Sequence, residues 1–426
     1  MAVALELGCS TPARHPREAP IAAMTIEVGR AGAQLRGVAG DGERVYVAFA
    51  EGPRSVIEAR RGASVVWSAP LSGTVGPLAR GPVVVVAAVA GTGDAGAGPV
   101  RGEPGAALVG LDPGNGTPRW RLALDSTAWV TISALAVTED SVIVGGTFAG
   151  SLRGDARVVT SAGGGDGFVA RVRAGDGAVE WLARVGGPGA DAVLGVAAAG
   201  GRVAIAGTFA PGAELRGHEL APIPTDQALP FGDAFVAELD ARGDTVVWTA
   251  TFGSKLDDSV AGVALARDGS VAVAATIRDV AHVGSIDVTA RGPADGLVAW
   301  FAPDGTRGAT AQLGGADFDG LSAITAAGDR AIVGGFFAGS LTLAGQTFTA
   351  GGGDDAFFAA VDERGAITHA TQVGGDGREE LVALSPVPAG FIAGIAHSAR
   401  ASIDGVQLPS PADPNSGAAL VVRPFP

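Results

Sequence analysis

The residues best equipped for chemistry in this 426-residue chain are its carboxylates, and they recur at fixed places. Asp166, Asp233, Asp295 and Asp355 each open a segment of the type Asp-(Gly/Ala)-(Phe/Leu)-(Val/Phe)-Ala, with separations of 67, 62 and 60 residues. A second set (Asp191, Asp257, Asp258, Asp317, Asp319, Glu379 and Glu380) precedes the next unit, and Asp354 stands beside Asp355. Facing carboxylates raise one another's pKa unless a cation intervenes. A Ca²⁺ ion wants about six to eight oxygens. Asp317-Phe-Asp-Gly320 and Asp376-Gly-Arg-Glu379 are fragments of calcium loops without a full ligand set. Two readings follow. Either Asp166, Asp191, Asp233, Asp258, Asp295, Asp319 and Asp355 form an acidic binding rim for a cation or basic partner, or each Asp before a third strand (Asp166, Asp233, Asp295, Asp354 and Asp355) accepts backbone N–H bonds and fixes a turn. Regular recurrence favours the turn, because a structural role repeats with the fold while a ligand site breaks symmetry. Ca²⁺ is the one cofactor the pattern admits; otherwise none is expected.

Other chemistries find little support. The five histidines (15, 218, 282, 369 and 397) lack metal-ligand spacing, and His218-Glu219 has no second His after it. No G-x-S-x-G occurs. The single Tyr, Tyr46, lies inside a strand pattern, which disfavours a tyrosine nucleophile. The single Cys, Cys9, allows neither an intrachain disulfide nor a Cys-based zinc site. Gly91-Thr-Gly-Asp-Ala-Gly96 matches a dinucleotide fingerprint, but Pro99, Gly102 and Pro104 follow where a helix should open. A net charge of −14 repels phosphate backbones, so nucleic acid is not an expected partner. No apolar run reaches membrane-spanning length.

The elements that carry these carboxylates repeat. Val142-Ile-Val-Gly-Gly-Thr-Phe-Ala-Gly-Ser-Leu152 returns as Ala331-Ile-Val-Gly-Gly-Phe-Phe-Ala-Gly-Ser-Leu341. The Asp segments have degenerate copies at Gly105 and Gly417. A third element carries Trp67, Trp120, Trp181 and Trp248, replaced later by Ala309 and by His369, a predicted packing position. Gly pairs close the units at 186–187, 314–315 and 374–375. Counting an eroded first copy gives seven units of about 61 residues, enough for four short strands each. In the sixth unit the strands are predicted at 321–325, 330–337, 356–361 and 366–372. Asn115-Gly116, Asp176-Gly177 and Asp304-Gly305 supply hairpin turns between third and fourth strands. No capped helical pattern appears.

Seven four-stranded antiparallel sheets on one chain predict an all-β, seven-bladed propeller over 22–426, a single domain after a disordered tether at 1–21. The seventh unit ends after its third strand, so residues 22–29 are expected to supply its outer strand and close the ring.

The Gly-Gly linker, Gly-Thr-Phe-(Ala/Pro)-Gly, Asp-Ala-Phe-Val-Ala and Trp elements resemble bacterial SBBP-type propeller repeats, most clearly from 130 to 380. That resemblance implies an exported or cell-surface protein and no particular activity. Leu111-Asp-Pro-Gly-Asn-Gly-Thr-Pro-Arg-Trp120 resembles the quinoprotein-type repeat, which implies Trp docking between blades. The cysteine pair used by quinoprotein alcohol dehydrogenases is absent. Leu7-Gly-Cys9, followed by a Pro-rich stretch, resembles the end of a bacterial lipoprotein signal, which implies lipidation of Cys9. The missing basic region and the interrupting Glu6 are what a misplaced start codon would leave; the alternative is a ragged tail.

These readings converge on a monomeric, exported scaffold, in the periplasm, outer membrane or cell surface. It would bind a protein or glycan through the loop face that bears the carboxylates and insertions at 90–105, 216–231 and 409–416. Membrane contact is expected only through the lipid. The alternative is a hydrolase or lyase with its site at the ring centre. Arg, His and carboxylate converging on the channel mouth would favour the enzyme; repeated small residues along the channel would favour the scaffold.

Overall fold

Alternating apolar runs punctuated by Gly turns can bury both faces only if the sheets stack on one another. The computed structural model describes residues 24–30, 32–89, 105–223, 232–388, 390–408, 410–411, 413 and 417–424. Cys9 and the tether, the glycine run at 91–96, and parts of all three insertions lie outside the described residues. Among the described residues every regular element is a strand. They form seven four-stranded antiparallel blades at 34–72, 74–126, 129–186, 192–253, 259–313, 320–375 and 379–424. In blade 6 the strands are Gly320–Ala327, Arg330–Phe337, Asp355–Asp362 and Ile367–Gly375, inner to outer.

The last blade is completed from the other chain end. Met24–Glu27 pairs with the strand Gly417–Pro424, with Ile26 opposite Leu420, and Val28 N donates to Ala418 O at 2.8 Å. The core divides into seven apolar clusters, one at each blade interface. The cluster joining blade 7 to blade 1 contains Ile26, Val28, Leu35, Phe49, Ile392 and Leu420. The closing strand therefore contributes to packing as well as to the sheet.

The quinoprotein-like docking is present in four copies. Trp67, Trp120, Trp181 and Trp248, on the outer strands of blades 1–4, are all buried. Each lies beneath the turn between third and fourth strands of the following blade. Trp120 Nε1 donates to Ala174 O at 2.8 Å, and Trp67 Nε1 to Pro113 O at 3.0 Å. Gly177, at φ 78°, lies against the Trp120 ring, where a Cβ would fall 2.7 Å from Cε3. The turn thus needs glycine both for its backbone and for its clearance.

Two expectations need correction. His369 is exposed, not packed. Blade 7 takes its outer strand from the N-terminal side, so it has no turn between third and fourth strands to cover that position. The four-strand count per unit is also incomplete. Blades 3–7 each insert a hairpin between second and third strands, as at Ser151–Gly154 with Arg157–Thr160. Four of these hairpins extend the outer strand of the preceding blade, with Leu152 opposite Ser126 in the first. Their short, half-exposed strands carry too little apolar alternation to stand out in sequence.

Candidate functional site

Third strands begin, and inner strands are entered, on one face of the ring. The recurrent carboxylates therefore meet in pairs across blade junctions: Asp166 with Asp191, Asp233 with Asp258, Asp295 with Asp319, and Asp355 with Glu379. Each pair is wrapped around a glycine that ends the fourth strand. A Cβ on Gly186 would meet Asp191 Oδ2 at 2.7 Å and Asp166 Cγ at 2.8 Å; one on Gly253 would meet Asp233 Oδ1 at 2.7 Å and Asp258 Oδ2 at 3.0 Å. The Gly pairs of the sequence thus clear space for paired carboxyls.

These groups face inward. Asp166, Asp191, Asp258, Asp295, Asp319, Asp355 and Glu379 are buried and Asp233 is half-buried. Asp191 accepts from Gly187 N and Ala210 N, both at 2.8 Å. Asp319 accepts from Gly315 N at 2.5 Å and Ala338 N at 3.2 Å. Asp258 accepts from Ser254 N and Oγ, and Asp233 from Ile223 N at 2.8 Å. Asp166 takes Ala162 N and Arg184 Nη1, each at 3.0 Å. Asp295 and Asp355 accept from Gln312 and Gln372 Nε2 at 2.7 and 2.6 Å. Each of these seven Asp carboxyls therefore ties a loop to its own or a neighbouring strand.

Burial raises the pKa of Asp191, Asp233, Asp258, Asp319, Asp355 and Glu379, with repulsion from a facing carboxylate adding at Asp191, Asp258, Asp319 and Glu379. Burial pushes Asp258 up to about 6 against its backbone bonds, with Asp233 adding to the rise. Asp319 rises to about 6 for the same reason, with Asp295 and Asp317 contributing. Neither oxygen of Glu379 makes a well-formed hydrogen bond to a protein donor. Burial and the facing Asp355 raise it to about 7. Asp355 is raised as well, chiefly by burial, so the facing pair is poised to hold a proton near neutral pH. Among the described residues no group of three or more His, Cys, Asp or Glu is arranged to hold a metal ion. The exposed carboxylates of this face are instead Asp257, Asp317, Asp376 and Glu380.

The ring encloses an axial channel of about 810 Å³, lined by all seven inner strands. Every inner strand carries a β-bulge at the same depth, such as Leu35/Gly37, Val193/Gly195 and Leu381/Ala383. The bulged residue is re-aimed by the extra backbone unit. Arg36, Ser133, Leu194, Ala261 and Val382 reach the channel in this way. In six of the seven blades the residue after the bulge is Gly or Ala, because adjacent inner strands touch: a Cβ on Gly195 would fall 2.7 Å from Gly262 Cα. Most of the wall is Ala, Val, Leu and Gly. The charged lining is confined to blades 7 and 1, where Arg36, Arg378, Glu380 and His397 occur. His397 is buried, its Nδ1 bonded to Ala399 O at 2.8 Å. None of these four was singled out from sequence for the channel. The signal was a recurring apolar-x-(Gly/Ala)-apolar tetrad (Leu35-Arg-Gly-Val38, Ile132-Ser-Ala-Leu135, Val193-Leu-Gly-Val196), whose x position is the bulge.

No family model and no curated protein matches the chain. Solved structures do. The quinohemoprotein alcohol dehydrogenase from Comamonas testosteroni is 12% identical, covering 94% of this chain and 76% of that one, at TM-score 0.42. The Pan2 WD40 domain of Neurospora crassa is 9% identical, covering 92% and 90%, at TM-score 0.47. The Dos1 propeller is 10% identical, covering 93% and 94%, at TM-score 0.45. The chain is a seven-bladed β-propeller. Its own strand pairing and closed ring of cores establish this; likeness at such levels carries no argument about chemistry.

Proposed function

We propose that this propeller is a non-enzymatic binding scaffold, exported and anchored at the cell envelope through lipidated Cys9, that engages a protein partner through its loop face. The supporting observation is an aromatic anchor framed by charge. Phe318 is 41% exposed, stacks on Phe336 at 5.9 Å and 18°, and has the Arg278 guanidinium 5.6 Å from its ring. Asp317 flanks it, and Leu256 with Asp257 occupies the corresponding entry loop one blade earlier. A rigid aromatic ringed by polar groups is the composition of an interface anchor. Phe318 is the one strongly exposed aromatic ring among the described residues, too few for a sugar platform, so a protein is favoured over a glycan.

A photoreactive benzoylphenylalanine placed at Phe318 tests this in intact cells. The expected result is one adduct of defined mass, lost when Asp257 and Asp317 are reversed to Lys. The same label at Val247, exposed on an outer strand, should give none. Equal or absent labelling at both positions refutes the reading. Export is tested separately by labelled palmitate, which should enter the wild type and not Cys9→Ala.

A second reading has its own observation. Arg36, Arg378, Glu380 and His397 share one channel sector, the mixed polar cluster expected of an enzyme. A hydrolase and lyase panel in which wild type turns nothing over, or in which Glu380→Gln matches it, overturns that alternative.

A further inference from the structure

We propose that the axial channel is a binding site for a small monocarboxylate with an apolar body, its charged group received by Arg36. This goes beyond the scaffold reading and does not depend on it.

The argument begins with how the seven bulges are filled. At five of the seven positions the residues are Ser133, Leu194, Ala261, Ser322 and Val382, and blade 2 places Gly76 and Pro77 there. Blade 1 alone places a charge, Arg36. Arg36 is half-buried, and a cation held beside Leu35, Val38, Leu78, Ile132 and Val263 gains when an anion pairs with it. Nothing described does so. Arg36 Nη2 donates to Oε1 of the exposed Gln34 at 2.6 Å, Nε is shut off from solvent without an acceptor, and no described carboxylate forms an ion pair with the group. The adjoining Arg378 adds positive potential at the mouth, its contact with Asp354 being a loose 3.9 Å. In a chain of net charge −14, an uncompensated cation at the axis is a local exception.

The ligand class follows from the wall. A planar guanidinium fork matches a carboxylate, and Arg36 is the single fork inside the apolar zone. The remaining lining is aliphatic and offers contact area to a hydrocarbon or aromatic body. A site of this kind, largely apolar with one or two placed polar groups, is the usual form of a small-molecule pocket. Glu380 at the mouth disfavours a second anionic group on the ligand.

The test uses the full chain and a series of probes from acetate to decanoate, each paired with its primary amide, in calorimetry at low salt. Affinity should rise with chain length. It should fall at least tenfold for each amide and for Arg36→Gln, and Arg36→Lys should recover only part of the loss. Leu194→Trp, which plugs the channel without touching Arg36, should also abolish binding, which keeps the test informative if the Arg36 variants fold poorly. No binding by any carboxylate to folded wild type overturns the proposal. So does binding that survives Arg36→Gln or Leu194→Trp. Octyl phosphate binding where octanoate does not would overturn the carboxylate assignment.

Discussion

Substituting Glu379 by Gln should make the protein more stable at pH 8 and leave it nearly unchanged at pH 5. Glu379 titrates near 7 in the folded chain because it is buried against Asp355, whereas an unfolded glutamate titrates near about 4.3. A carboxyl whose folded pKa is raised binds more protons in the native state. Its contribution is therefore complete below the unfolded value and is lost as pH climbs to the folded one. The window is about pH 4.5 to 7.5. A difference of roughly 2.7 units corresponds to a ceiling of about 4 kcal/mol at about 1.4 kcal/mol per unit. Because the facing Asp355 is itself raised, chiefly by burial, and titrates together with Glu379, we expect between about 1 and 3 kcal/mol. His397, on the adjacent strand opposite Glu379, pulls the other way. Gln keeps the shape and can donate to Asp355 without carrying charge. Urea unfolding of both proteins at pH 5, 6, 7 and 8, followed by tryptophan fluorescence, gives the comparison. Midpoints are preferable to melting temperatures, since for roughly 400 ordered residues 1 kcal/mol moves Tm by only about 1 °C. Parallel pH profiles for the two proteins would refute the raised Glu379 pKa.

Trp120→Ala should cost about 3–5 kcal/mol in the same assay through lost docking on the Ala174–Gly177 turn. His369→Ala, at the uncovered equivalent position, should change stability by less than about 0.5 kcal/mol; equal losses would refute the docking account. Deleting residues 1–30 should lower the thermal midpoint sharply, because it removes Ile26 and Val28 from the blade 7–blade 1 core; an unchanged melting curve would refute ring closure by that strand. Millimolar Ca²⁺ and chelator should give the same melting temperature, because backbone N–H groups already occupy most of the rim carboxyls. A rise in Ca²⁺ alone would return the rim to metal binding.

The repeat made most of the fold legible. Periodic Asp, Trp and Gly residues mark positions that every blade must satisfy, so the starts of the third strands and the closing strand could be read from spacing. The inserted hairpins could not, since pairs as short as Glu214–Leu215 with His218–Glu219 hold together by extending a neighbour's sheet. The rim carboxyls were visible as residues, and Asp166, Asp233, Asp295 and Asp355, which open third strands, accept the loop N–H groups anticipated for them. Their pairing was not visible, because each pair joins residues from successive blades across the space a glycine leaves. Departures from the repeat carry the remaining information, and two of them look alike in sequence but differ in cause. His369 stands where Trp belongs because the ring's seam removes the turn that would cover it. Arg36 stands where a small or apolar residue belongs, yet its neighbours in the channel are intact and nothing is missing around it. The seam accounts for the exposure of the first. No feature of the fold calls for the second, and a charge kept at the axis without a structural partner points to a partner from outside the chain.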